Sequence, residues 1–89
     1  MRAWRIQSTV IAADIAEEAC EFYREETGCT PPDIIAEADY SATVTCPDGA
    51  IRTVLERIHE EMDARNAWLR MGVPCELHWP FVVGTLPTE

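Results

Sequence analysis

Residues 3–12 alternate, with Trp4, Ile6, Ser8 and Val10 set against Arg5, Gln7, Thr9 and Ile11. A period of two rich in β-branched residues predicts one strand, 3–12, with a drier face. The period then changes. Ile15, Ala16, Ala19, Cys20, Phe22 and Tyr23 recur at helical spacing, while Asp14, Glu17, Glu18, Glu21 and Glu25 collect on the opposite side. Asp14 and Glu17 have the spacing of a capping box, and Gly28 stands where a left-handed terminator belongs, so a helix is expected over 14–27.

Residues 29–38 form a link in which Pro31-Pro32 blocks regular pairing. Tyr40 to Cys46 alternates again, Pro47-Asp48-Gly49 reads as a turn, and 50–53 returns as a hairpin partner. Thr53 and Glu56 form a second potential capping box for a helix over 54–71, with Gly72 as terminator. This helix would turn Val54, Leu55, Ile58, Met62 and Leu69 inward and Glu56, Glu60 and Asp63 outward, with Glu61 and Arg65 at pairing distance. A competing reading starts the helix at Asp48 and removes the hairpin. Residues 75–83 read as a last strand, with Pro80 marking an edge or a break, followed by a loose tail from Gly84.

The order β-α-β-β-α-β predicts a single α+β domain over 1–89, in the ferredoxin-like split βαβ arrangement. Two helices would then pack on one face of a four-stranded antiparallel sheet, and their outer faces would both be acidic.

Charge makes that geometry matter. Sixteen acidic residues stand against seven basic ones, all arginine, for a net charge of −9. The balance opposes direct binding to nucleic acid or an anionic membrane, and it permits a basic protein surface. A hydrophobic content of 47% exceeds that of a disordered acidic tail. No segment approaches the ~18 apolar residues of a membrane span, and Arg5 and Gln7 interrupt the start of the chain as a secretion signal. A cytoplasmic setting with reduced cysteines is therefore expected.

Chemistry-bearing residues are few. Cys20, Cys29, Cys46 and Cys75 include no Cys-x-x-Cys, and Cys20 lies on an apolar stripe. His59 borders the second helix's apolar stripe and is expected to be partly buried. His78 shares a strand face with Glu76, without an evident nucleophile or oxyanion donor nearby. No catalytic, cofactor-binding or metal-binding residues are assigned, and no cofactor is expected. Trp4 and Trp79 are expected in the core, on paired first and last strands. Trp68, close to Arg65 and Met71, has the composition of an interface hot spot.

The leading expectation is a non-enzymatic interaction or regulatory module that engages a basic protein or nucleoprotein complex. Its contact set would be Glu17, Glu18, Glu21, Glu25, Glu56, Glu60, Asp63 and Trp68. One alternative is a nucleic-acid mimic that inhibits a nuclease, a repressor or a phage-defence complex of the CRISPR type. Another is a small metal-binding or hydrolytic protein in which Cys29, Cys46, Cys75 and His78 converge. A homodimer through a sheet edge is compatible with each.

Overall fold

The computed structural model describes residues 1–33 and 35–87; Ile34 in the link and Thr88 and Glu89 in the tail lie outside the described residues. The first alternating run is two strands rather than one. β1 (Arg2–Ile6) and β2 (Thr9–Ala13) pair antiparallel from Arg2↔Ala13 to Ile6↔Thr9, so Gln7 and Ser8 form a two-residue hairpin loop. Gln7 takes a φ of 56° there, in the left-handed region where glycine or asparagine is usual. Because Gln-Ser carries no turn signature, the alternation reads straight through the loop.

α1 (Ala16–Thr27) follows β2 directly. The expected Asp14–Glu17 capping box is absent, since Ile15 occupies the N-cap without a side-chain hydrogen bond. Asp14 instead faces the Met1 amino group at 3.7 Å and His78 Nδ1 at 3.1 Å. The helix ends as expected at Gly28, which has a φ of 70° and donates its N–H to the Arg24 carbonyl. Beyond the proline pair, β3 (Ala36–Glu37) adds a short antiparallel edge to β1.

β4 (Thr43–Thr45) and β5 (Ile51–Thr53) form the expected hairpin. The Gly49 N–H donates to the Cys46 carbonyl, and Gly49 has a φ of 89°, which gives a turn closed by a left-handed glycine. α2 (Val54–Arg70) starts immediately after β5, so the reading that began a helix at Asp48 fails. The Thr53–Glu56 capping box is formed in both directions, at 3.1 Å each way. The helix stops in a Schellman motif, with the Val73 N–H on the Trp68 carbonyl and the Gly72 N–H on that of Leu69.

The last strand is displaced from its expected position. Residues 75–80 form a turn rather than a strand, and β6 runs from Phe81 to Thr85. Gly84 therefore lies inside the strand and is buried, not at the start of a loose tail. It sits so close to β4 that a Cβ at this position would lie 2.6 Å from the Thr45 carbonyl oxygen. The chain stays attached afterwards, because the Leu86 N–H donates to the Ser8 carbonyl.

Among the described residues the sheet has six strands, ordered β3-β1-β2-β6-β4-β5, and all these pairings are antiparallel. The fold is thus α+β with two helices, but its sheet is neither four-stranded nor ordered as a split βαβ. The first and last expected strands do pair, as β2 with β6. The β4–β5 hairpin, however, joins β6 rather than the first strand, because both sides of β2 are already taken by β1 and β6.

The two helices lie on opposite faces of this sheet. Successive strand residues point to opposite faces, and β2 divides accordingly. Val10 and Ala12 join a core with Val44, Val54, Ile58, Phe81 and Val83, on the α2 side. Ile11 and Ala13 join a second core with Ile6, Ala19 and Tyr23, against which Trp4 and Phe22 pack, on the α1 side. The expected sharing of one face by both helices is thereby corrected. α1 follows Ala13 and folds over one side of β2, whereas α2 leaves β5 over the other.

Candidate functional site

The inward face of α2 differs from the expected apolar stripe. Leu55 and Leu69 are exposed, and Val54, Ile58 and Arg65 are buried, with Glu61 and Met62 half-buried. Arg65 is only 4% exposed. Its Nε donates to Glu61 Oε1 at 3.3 Å, and its Nη1 faces the carbonyls of Trp79, Leu77 and Glu76 at 2.7, 3.1 and 3.2 Å. Arg57 donates to the other Glu61 oxygen at 3.1 Å, and both guanidinium carbons lie over the Phe81 ring, at 5.2 Å for Arg57 and 4.9 Å for Arg65. A buried arginine is tolerable only when its charge and donors find partners, and here a carboxylate, three carbonyls and an aromatic face provide them.

This arrangement is structural chemistry. Arg65 fixes the carbonyls of the 76–79 turn and so prevents that stretch from extending as a strand. Trp79, expected in the core, is consequently 53% exposed, and His78 faces Asp14 rather than Glu76. Trp4, also expected in the core, is half-buried and packs against the α1-side core, its indole N–H donating to the Ala13 carbonyl at 3.1 Å. The signal for Arg65 was present in the four-residue spacing of Arg57, Glu61 and Arg65. A polar i,i+4 series ordinarily marks a solvated face, which is why it was not read as core.

The carboxylates of the two helices stand in different electrostatic settings. On the α2 side, Glu61 is shared by two arginines, and Glu60 takes Arg52 Nε at 2.9 Å. Arg52 also reaches Asp48 at 3.3 Å. Glu56 caps its own helix, and the N–H of Thr53 holds its carboxyl below the usual range. Asp63 is exposed, as is Trp68 at the far end of the helix. On α1, Glu17, Glu21 and Glu25 are exposed and Glu18 is half-buried, and among the described residues none of them forms an ion pair. Arg24 is the single basic residue of that helix.

The remaining candidates are dispersed. Cys29 is exposed, Cys46 is buried, Cys20 and Cys75 are half-buried, and all four thiols are free. Among the described residues no three His, Cys, Asp or Glu side chains gather as a metal-binding group, so Cys29, Cys46, Cys75 and His78 do not converge. His59, expected to be partly buried, is exposed. Among the described residues no helix is long and apolar enough to cross a membrane.

No family model matches this sequence, and no curated protein or solved structure is significantly similar to it.

Proposed function

We propose that this chain is a non-enzymatic interaction module that docks the acidic face of α1 on a basic surface of a partner protein. The observation that carries the reading is that, among the described residues, Glu17, Glu18, Glu21 and Glu25 have no cation partners, in a chain whose other helix pairs or caps with most of its acids. Like charges at i,i+4 are mildly destabilising in a helix, so this row lowers stability while raising the local negative potential. Such a potential accelerates encounter with a basic partner and rejects acidic ones. The contact set centres on those four glutamates. Glu56, Glu60, Asp63 and Trp68 belong to the helix on the other side of the sheet.

This geometry favours a protein partner over mimicry of duplex nucleic acid. Mimicry of two phosphate strands calls for parallel rows of carboxylates, and helices on opposite faces present only one row at a time. That row, from Glu17 to Glu25, is ~12 Å long.

The test is comparative capture from a lysate at low and high salt. A chain carrying Glu17→Lys, Glu18→Lys, Glu21→Lys and Glu25→Lys is expected to lose the salt-sensitive partners of the native chain. A chain reversed at Glu56, Glu60 and Asp63 is expected to keep them. Retention of the same partners by the α1 variant overturns the proposal, and release of the partner by duplex DNA identifies a mimic instead.

A further inference from the structure

α1 is flanked by a groove on each side. One, of about 430 Å³, runs between the helix and residues 33 and 35. Ala16, Cys20 and Ile35 line it and are half-buried, while the exposed Glu17, Glu21 and Asp33 bring three carboxylates to it against the single guanidinium of Arg24. The other, of about 260 Å³, lies toward the turn that precedes β6, with Phe22 and Pro80 as apolar walls and Glu18, Glu21 and Glu25 as acids. Glu21 borders both grooves.

A groove with apolar walls and a carboxylate rim selects against most ligands. Anions are repelled. Hard metal cations take six or more oxygen ligands, or keep their waters, and gain nothing from Cys20, Ile35 or Phe22. A long cationic side chain matches both parts at once, because its methylene stem lies along apolar surface while its head stays among the carboxylates. Arginine adds a planar fork of donors suited to carboxylate pairs.

We propose that the two grooves flanking α1 receive successive arginine or lysine side chains of an extended basic segment of a partner protein, which lies along the helix over Glu21. This rests on α1 being the docking face, and it adds that recognition reads the stem of the side chain as well as its charge. An extended segment laid along the helix over Glu21 sends successive side chains to opposite flanks, as its alternation requires.

The experiment titrates the full chain with a hexa-arginine peptide at low salt and follows the amide shifts of every residue. Saturable shifts are expected at Ala16, Cys20 and Ile35 on one flank and at Phe22 on the other. Cys20→Phe fills the larger groove without altering charge and is expected to weaken hexa-arginine about tenfold, the equivalent of about two methylenes left unburied. Ala16→Leu provides a second filler should the first fail to fold, which thermal melting reports. Undiminished affinity in a folded filler variant overturns the groove while leaving the acidic face standing. Absence of any hexa-arginine binding overturns both. Competition by Mg²⁺ at equal charge, or shifts that follow self-association in sedimentation, overturn the groove in favour of a simple cation or of a second copy of this chain.

Discussion

The two helices are built on opposite logics. α2 begins with a reciprocal cap, ends in a Schellman motif, and buries an Arg–Glu–Arg series against Phe81 and the 76–79 turn. α1 begins without a side-chain cap, anchors itself with Ala19 and Tyr23, and, among the described residues, leaves its glutamates without cation partners. The difference teaches that the charge excess is not evenly spread. Acids of α2 are largely engaged in ion pairs or the helix cap, whereas among the described residues those of α1 form no ion pair.

The sharpest way to break this contrast is at Arg65. Arg65→Met leaves the Glu61 carboxylate half-buried with one partner fewer and the three turn carbonyls without their donor. It is expected to cost about 3–5 kcal/mol in denaturant unfolding. Loss of amide-exchange protection around 76–79 in the same variant would tie the cost to the turn. A cost near zero would make α2 as dispensable in its charges as α1.

Next in size is Gly84, where β6 meets β4 through the single pair Thr45↔Thr85. Gly84→Ala drives a methyl group toward the Thr45 carbonyl and is expected to destabilise by about 1–3 kcal/mol. Because the α2 side joins the rest of the sheet along this line, exchange should rise first in β4 and β5.

The helix starts offer a third comparison. Thr53→Ala removes a working N-cap and is expected to cost about 1 kcal/mol, whereas Asp14→Ala removes no cap and should leave α1's helicity unchanged. Acid probes the same site. The Glu56 carboxyl is depressed chiefly by the Thr53 N–H, so its contribution is present above the ordinary glutamate value of 4.5 and is lost as the pH falls through the lower folded value. The carboxyls of Asp39 and Asp48, depressed by the N–H groups of Ser41 and Ala50, behave likewise below 3.8. Stability should therefore fall on acidification, and Glu56→Gln should flatten the upper part of that fall.

The smallest effect has the opposite sign. Glu21→Lys replaces two like-charge neighbours, Glu17 and Glu25, with attractive i,i+4 pairs, and is expected to stabilise α1 by about 0.2–0.5 kcal/mol per pair. The same substitution should weaken the proposed binding of a basic partner. A chain that gains stability as it loses binding would show that the acidic row is retained for recognition.

Local signals were legible in particular residues. Gly28, the Pro47-Asp48-Gly49 turn, the Thr53–Glu56 box and the Gly72 stop all form as the spacing predicts, because each is settled within a few residues of chain. The hairpin at Gln7-Ser8 was illegible because its loop lacks a glycine or asparagine. The 75–80 turn was illegible because the group that bends it, Arg65, lies 11 to 14 residues upstream of the carbonyls it holds. Of the candidate surface, the α1 glutamates were found by helical periodicity alone. The separation of Glu56, Glu60 and Asp63 from them could not be found that way.

The sequence by itself determined that both helices exist and where each stops, since helical period and caps are local properties. Only the tertiary structure decided which face of the sheet each helix covers. That choice follows from how β2 shares its two sides, with Val10 and Ala12 turned to α2 and Ile11 and Ala13 turned to α1. It puts the α2 acids that pair with Arg52, Arg57 and Arg65, close by in sequence, on the face opposite the α1 glutamates. The bonds from Arg65 to the carbonyls of Glu76, Leu77 and Trp79 depend instead on distances between residues farther apart in the chain.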